Sequence, residues 1–123
     1  NDRTTPSAGL LASLTLGCKG LVSVSGSVIA DLQVALFRAV QAGDLKAAQA
    51  VNDRIVPLSQ AFYAPPFLDM HNRMKEALVL LCRIDKAVVR PPLTKIGEAE
   101  IARIRTALDQ AGIAREGALK LAA

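Results

Sequence analysis

The sequence predicts an α/β fold that is mostly helical in this chain, with one strand whose partners lie outside it. Three observations carry that expectation. Apolar residues recur at three- and four-residue steps over most of the length, the period of helices with one buried face. One short run, Gly20-Leu-Val-Ser-Val24, is β-branched, apolar and bounded by glycine and serine. The palette is aliphatic: 51% of the 123 residues are hydrophobic, aromatics are 3% and Trp is absent. A core built from Leu, Ile, Val and Ala suits helices packed on an aliphatic surface.

The elements follow in order. Residues 4–16 read as a helix capped by Thr4 or Thr5, with Pro6 in its first turn, Leu10, Leu11 and Leu14 on its apolar face, and Gly17 as its stop. Residues 20–24 read as the strand. The run does not alternate between apolar and polar positions, so it should be covered on both faces, as in a parallel sheet. Ser27 should cap a helix running to about Ala42, with Val28, Leu32, Leu36 and Ala39 on one side. Gly43-Asp44 should end that helix and start the next, in which Ala48, Val51, Ile55, Leu58 and Phe62 form the stripe and Pro57 introduces a kink. Ala64-Pro-Pro-Phe67 breaks the chain. A helix over 70–82 follows, with Met74, Ala77, Leu78 and Leu81 inward. Val88-Val-Arg-Pro-Pro-Leu93 reads as an extended connector. The last strong helix starts near Glu98, ends at Gly112 and buries Ile101, Ile104 and Leu108; residues 113–123 continue weakly or fray.

Composition excludes several classes. The net charge is +4 and the basic residues are scattered, with no basic stripe interleaved with aromatics, so nucleic acid is not an expected partner. No stretch is long and apolar enough to span a membrane. His71 stands near Asp69 with no second His and no cysteine beside it, which argues against a metal site. Cys18 and Cys82 are flanked by apolar residues and read as buried free thiols in a reducing, cytoplasmic compartment. Ser25-Gly-Ser27 reads as an ordinary strand-to-helix turn rather than a phosphate cradle, and Tyr63 beside Phe62 as packing.

One conflict remains. A doubly covered strand needs neighbours on both edges, and this sequence supplies none. That absence, with an opening at Asn1 and no targeting segment, leads us to expect a piece of a longer polypeptide. Four segments, in order, then resemble the dihydrodipicolinate synthase / N-acetylneuraminate lyase family of pyruvate-dependent class I aldolases. They are Leu16-Gly-Cys-Lys-Gly-Leu-Val-Ser-Val24; Ala42-Gly-Asp44 with Asn52-Asp-Arg-Ile-Val-Pro-Leu58; Met74-Lys-Glu-Ala-Leu78; and Val89-Arg-Pro-Pro-Leu93 with the helix to Ala111-Gly-Ile113. The chain departs from the family in the Ala64–Arg73 loop, which has Asp69, His71, Asn72 and Arg73, and at Gly97, where a capping Ser or Thr is common.

The resemblance implies the C-terminal portion of a (β/α)₈ barrel, with residues 1–43 as the end of the barrel and 44–123 as a helical extension of the same domain. It implies a lyase that forms a Schiff base between a lysine and pyruvate or a related 2-oxo acid, without a cofactor, usually as a tetramer. The Schiff-base lysine and the proton-relaying tyrosine should both lie upstream, so the isolated chain should carry no catalytic residue and be inactive. Lys19, Lys46, Lys75, Lys86, Lys95 and Lys120 all read as surface positions. The resemblance maps substrate contacts onto Val22, by its backbone, and Ser23, with Asp2 and Arg3 near the substrate hydroxyls. The expected partners are the small-molecule substrate and either further copies of the chain or the missing N-terminal part of the barrel. From another class comes a stand-alone helical interaction module without catalysis, in which 20–24 is not a strand.

Overall fold

The computed structural model describes residues 9–113. Asp2, Arg3, Thr4, Thr5, Pro6 and the segment after Ile113 lie outside the described residues. Among the described residues, five α-helices make the architecture: α1 Leu10–Thr15, α2 Gly26–Gln41, α3 Leu45–Phe62, α4 Met70–Leu80 and α5 Glu98–Gln110, with a 3₁₀ turn at Phe67–Asp69 before α4. The apolar stripes read from the sequence are the buried faces. Leu32 and Leu36 of α2, Ile55, Leu58 and Phe62 of α3, Met74 and Ala77 of α4, and Ile101, Ile104 and Leu108 of α5 join one core reaching from Leu14 to Ala111. α3 lies at its centre, against α2 on one side and α5 on the other, and α4 packs on α5.

Four of the helices stop in the same way. Each ends on a residue of positive φ whose N–H bonds back three residues, while the next N–H bonds back five. This geometry supplies donors to the last carbonyls of the helix. At α2 the residue is Gly43 (φ 71), which bonds Val40 while Asp44 bonds Ala39. Gly17 closes α1 and Gly112 closes α5 likewise. At α4 the position belongs to Cys82, which holds φ 59 with a side chain. Asp44 also starts α3, its carboxylate accepting from the Ala47 N–H at 2.9 Å.

α3 ends differently. Its last residues run into Ala64-Pro65-Pro66, and proline has no N–H to offer the exposed helix carbonyls. The donors come from Arg73, whose guanidinium reaches the carbonyls of Phe62 (3.3 Å), Ala64 (2.6 Å), Pro65 (3.3 Å) and Pro66 (3.1 Å). Its Nε and Nη2 also meet Glu100 Oε1 of α5 at 3.0 and 2.9 Å. Arg73 is 1% exposed. Asn72 and Arg73, at the end of the segment that departs from the family pattern, lie in the helix expected from residue 70 and are buried on the first turns of α4. Asn72 Nδ2 holds the Thr94 carbonyl at 2.6 Å and Lys75 holds that of Val88, so the connector from 88 lies along α4.

Other expectations are corrected. Residues 20–24 form no strand, and no strand occurs among the described residues. The run has no neighbouring strand to pair with, and ladder hydrogen bonds require one. Ser27 does not cap α2: the helix already begins at Gly26 behind Ser25, and the Ser27 hydroxyl donates to the Val24 carbonyl at 3.3 Å. α3 runs unbroken through Pro57, whose neighbours Asp53 and Arg54 are exposed, so water can reach the turn that lacks an N–H. The backbone departure lies in α2, at Ile29 (φ −124, ψ 29), where Arg83 Nη1 donates to the adjacent Val28 carbonyl at 2.9 Å. Both cysteines are exposed rather than buried, since each sits at or just past a helix end. No described helix is long and apolar enough to cross a membrane.

Candidate functional site

The chain bends from Cys18 to Ser25 around the start of α2, and an open groove of ≈ 370 Å³ lies where the bend meets the helix. Gly20 and Leu21 form one wall; Ala30, Gln33, Val34 and Phe37 form the other, with Arg38 at one end. The wall is mostly apolar. Its polar member is Gln33, which α2 carries on the same buried side as Val28, Ile29, Leu32 and Leu36.

Gln33 is where the site acquires directed chemistry. Its Nε2 donates to Ser23 Oγ at 2.7 Å and to Ser25 Oγ at 3.0 Å, and the two serine oxygens lie 3.0 Å apart. Ser25 is fully buried, and Ser23 is half-buried beside Val22, which is fully exposed. The result is a hydroxyl pair with an inner and an outer member, held by a side chain of the groove wall.

Of the residues assigned to substrate, Val22 and Ser23 therefore sit together at this bend. Asp2 and Arg3 lie outside the described residues. Ser25-Gly-Ser27 offers no amide cradle: the Gly26, Val28 and Ile29 N–H groups bond the Ser23 and Ser25 carbonyls. Lys19, Lys46, Lys86 and Lys95 are exposed, Lys75 is tied to the Val88 carbonyl, and Lys120 lies outside the described residues. His71 is exposed, and no group of His, Cys, Asp and Glu among the described residues is placed to hold a metal. Tyr63 packs as expected, though on Phe67, with ring centroids 5.9 Å apart.

The sequence reading missed Gln33, Ser25 and Arg73. A signal for Gln33 existed: position 33 adjoins the buried stripe of Leu32 and Leu36, where a polar amide is out of pattern. Ser25 was read only as part of a turn. Arg73 gave no comparable signal, because its partners are backbone carbonyls brought to it by the fold.

Residues 7–111 match the profile of the dihydrodipicolinate synthetase family. The chain is 34% identical over 103 residues to the 4-hydroxy-tetrahydrodipicolinate synthase of Halorhodospira halophila, covering 84% of this chain and 33% of that protein. It is 38% identical to the synthase of Nitrobacter hamburgensis over the same shares. It is 31% identical to a putative 2-dehydro-3-deoxy-D-gluconate aldolase of Escherichia coli, covering 82% of this chain and 33% of that protein. Among solved structures, the dihydrodipicolinate synthase of Thermotoga maritima superposes with a TM-score of 0.74 at 25% identity, over 86% of this chain and 35% of that one. A monomeric dihydrodipicolinate synthase variant gives 0.77 at 24% identity, over 87% and 34%. The chain thus spans about a third of the length of the relatives it matches.

Proposed function

Because the chain belongs to the dihydrodipicolinate synthetase family, we propose that it supplies the closing part of a (β/α)₈ barrel that makes or breaks a carbon–carbon bond, or dehydrates a sugar acid, through a Schiff base to pyruvate or a related 2-oxo acid. The amine of a lysine upstream of this chain condenses with the keto carbonyl and releases water. This chain contributes pocket wall: the backbone at Val22 and the hydroxyl of Ser23. Asp2 and Arg3 would add a carboxylate and a cation near substrate hydroxyls. In this reading the isolated chain turns nothing over, no cofactor takes part, and the working form is an assembly in the cytoplasm, either a homo-oligomer or this chain joined to the rest of the barrel.

The observation that carries the reading is the run 20–24. It lies within the part of the chain that matches the family, yet stands in water, with Val22 fully exposed and Val24 half exposed beside an apolar groove. β-branched residues in that number are suited to a covered sheet. The test is reductive trapping. Borohydride with pyruvate should leave the mass of this chain unchanged. When the chain is mixed with the upstream barrel portion of a relative, the adduct should appear on that portion alone. A stoichiometric adduct on this chain would overturn the assignment.

A second reading has its own observation. The helices bury their stripes on one another, with Leu36, Ile55, Leu58 and Phe62 wholly enclosed, as a stand-alone interaction module would require. A sharply melting monomer that ignores the upstream barrel portion would favour it.

A further inference from the structure

We propose that Asn72 and Glu76 of α4 hold a monovalent alkali cation. The site is separate from the groove, and the proposal does not rest on the pocket reading above.

Glu76 is 4% exposed and Asn72 is 0% exposed. Glu76 Oε1 and Asn72 Oδ1 are both enclosed, and neither has a hydrogen-bond partner among the described residues. A buried carboxylate oxygen without a donor is costly, and a buried amide oxygen adds to the cost. Thr94 fixes which way the amide faces. Its carbonyl accepts from Asn72 Nδ2 at 2.6 Å, so Oδ1 is the end left over.

The helix itself explains why these oxygens go without. The neighbours of Glu76 at three- and four-residue steps on α4 are Asn72, Arg73, Val79 and Leu80. Val79 and Leu80 carry no polar group. Arg73 is the one cation of the four, and its guanidinium is engaged by four backbone carbonyls and by Glu100. Lys75 is tied to the Val88 carbonyl. The connector lying along α4 includes Pro91 and Pro92, which have no N–H. In charge, Arg73 offsets Glu100, and Glu76 is left without a counterpart.

Two acceptors on adjacent turns of one buried helix face, with one negative charge between them, form a binding site for a positive ion. Residues four apart on a helix have Cβ atoms about 5–6 Å apart, so one small ion can touch both oxygens. The donor set decides the kind of ion. It has no imidazole and no thiolate, which sets aside the metals that prefer nitrogen and sulfur. It has a single carboxylate, whereas calcium sites gather several charged and neutral oxygens. One carboxylate and one amide oxygen suit a hard ion of single charge. The small exposed edge of Glu76 gives that ion a way in and lets it keep part of its water. Because the two oxygens come together on a helix, the ion binds the folded chain and stabilises it.

The test is thermal melting of the full 123-residue chain at constant ionic strength, with tetramethylammonium chloride replaced stepwise by sodium or potassium chloride. With at least one of the two alkali ions the melting temperature should rise along a saturating curve, by about 3–6 °C. Glu76→Gln should abolish the rise. Its amide can donate to Asn72 Oδ1, so the fold is kept, and it has no charge to hold the ion. Glu76→Leu, which needs no polar partner, gives the same reading should the glutamine variant not fold. Asp53→Asn, which removes an exposed carboxylate from α3, should keep the rise. Equal melting temperatures in alkali and tetramethylammonium salts would overturn the proposal, as would a folded Glu76 variant that keeps the response. Stability that increases on acidification with no dependence on the cation would also overturn it, since a proton would then bridge the two oxygens.

Discussion

Arg73 shows how one side chain can complete a helix that the backbone cannot. Two prolines after α3 remove the N–H groups that would satisfy its end, and a guanidinium with five donors replaces them while also meeting Glu100. Replacing Arg73 with methionine keeps the volume and strands buried carbonyls and a partly buried carboxylate. A loss on the order of 3–5 kcal/mol is expected in urea denaturation. Arg73→Lys should recover only part of it, because an ammonium cannot span four carbonyls and a carboxylate at once. Equal stabilities for Met and Lys variants would refute the bridging role. Cys82 presents the opposite case, a residue at odds with its backbone. Its φ of 59 occupies a helix stop that is glycine in α1, α2 and α5. Cys82→Gly should raise stability by about 0.5–1 kcal/mol, since relief of Cβ strain exceeds the added flexibility of the unfolded chain. A lower melting temperature would contradict this account.

At the scale of the element, the α2–α3 junction concentrates two functions in two residues. Gly43 closes one helix and Asp44 opens the next by accepting from the Ala47 N–H. Because α3 is the central helix, fraying of its first turn should be felt through Ala48, which is wholly buried. Asp44→Ala should cost about 1 kcal/mol, measured by thermal melting, and Asp44→Asn or Asp44→Ser should retain most of it. α5 is held at its far end from α3: Arg54 Nε donates to the Ala111 carbonyl at 2.8 Å. That bond joins the middle of α3 to the C-terminal cap of α5 and so opposes sliding of their two apolar faces.

For the whole molecule, the uneven distribution of exposed apolar surface is the dominant fact. Leu16 after α1, Val22 and Val24 in the bend, and Val34 in the groove wall are exposed. Val22→Asp combined with Val34→Asp should reduce concentration-dependent association in sedimentation while leaving the melting temperature unchanged, since both side chains face water. The same pair should block joining to the upstream barrel portion. Unchanged association with an intact fold would place the sticky surface elsewhere, at Phe67 and Leu68, which are also exposed.

The helical part of this protein was legible in its residues. Stripes such as Ile55, Leu58 and Phe62, or Ile101, Ile104 and Leu108, become the buried faces because helix periodicity and apolar burial are local properties. Gly17, Gly43 and Gly112 announce helix ends for the same reason. At the candidate site, Val22 and Ser23 are named by the resemblance alone, whereas Gln33, ten residues beyond Ser23, meets Ser23 only once α2 folds back on the bend. The run 20–24 carries the preferences of a strand and forms none here, because a ladder requires a second chain segment alongside. Local sequence therefore determined which segments are helical and which faces they bury. Tertiary structure decided which polar groups meet, because the partners of Arg73 and Gln33 are set by packing rather than by spacing along the chain.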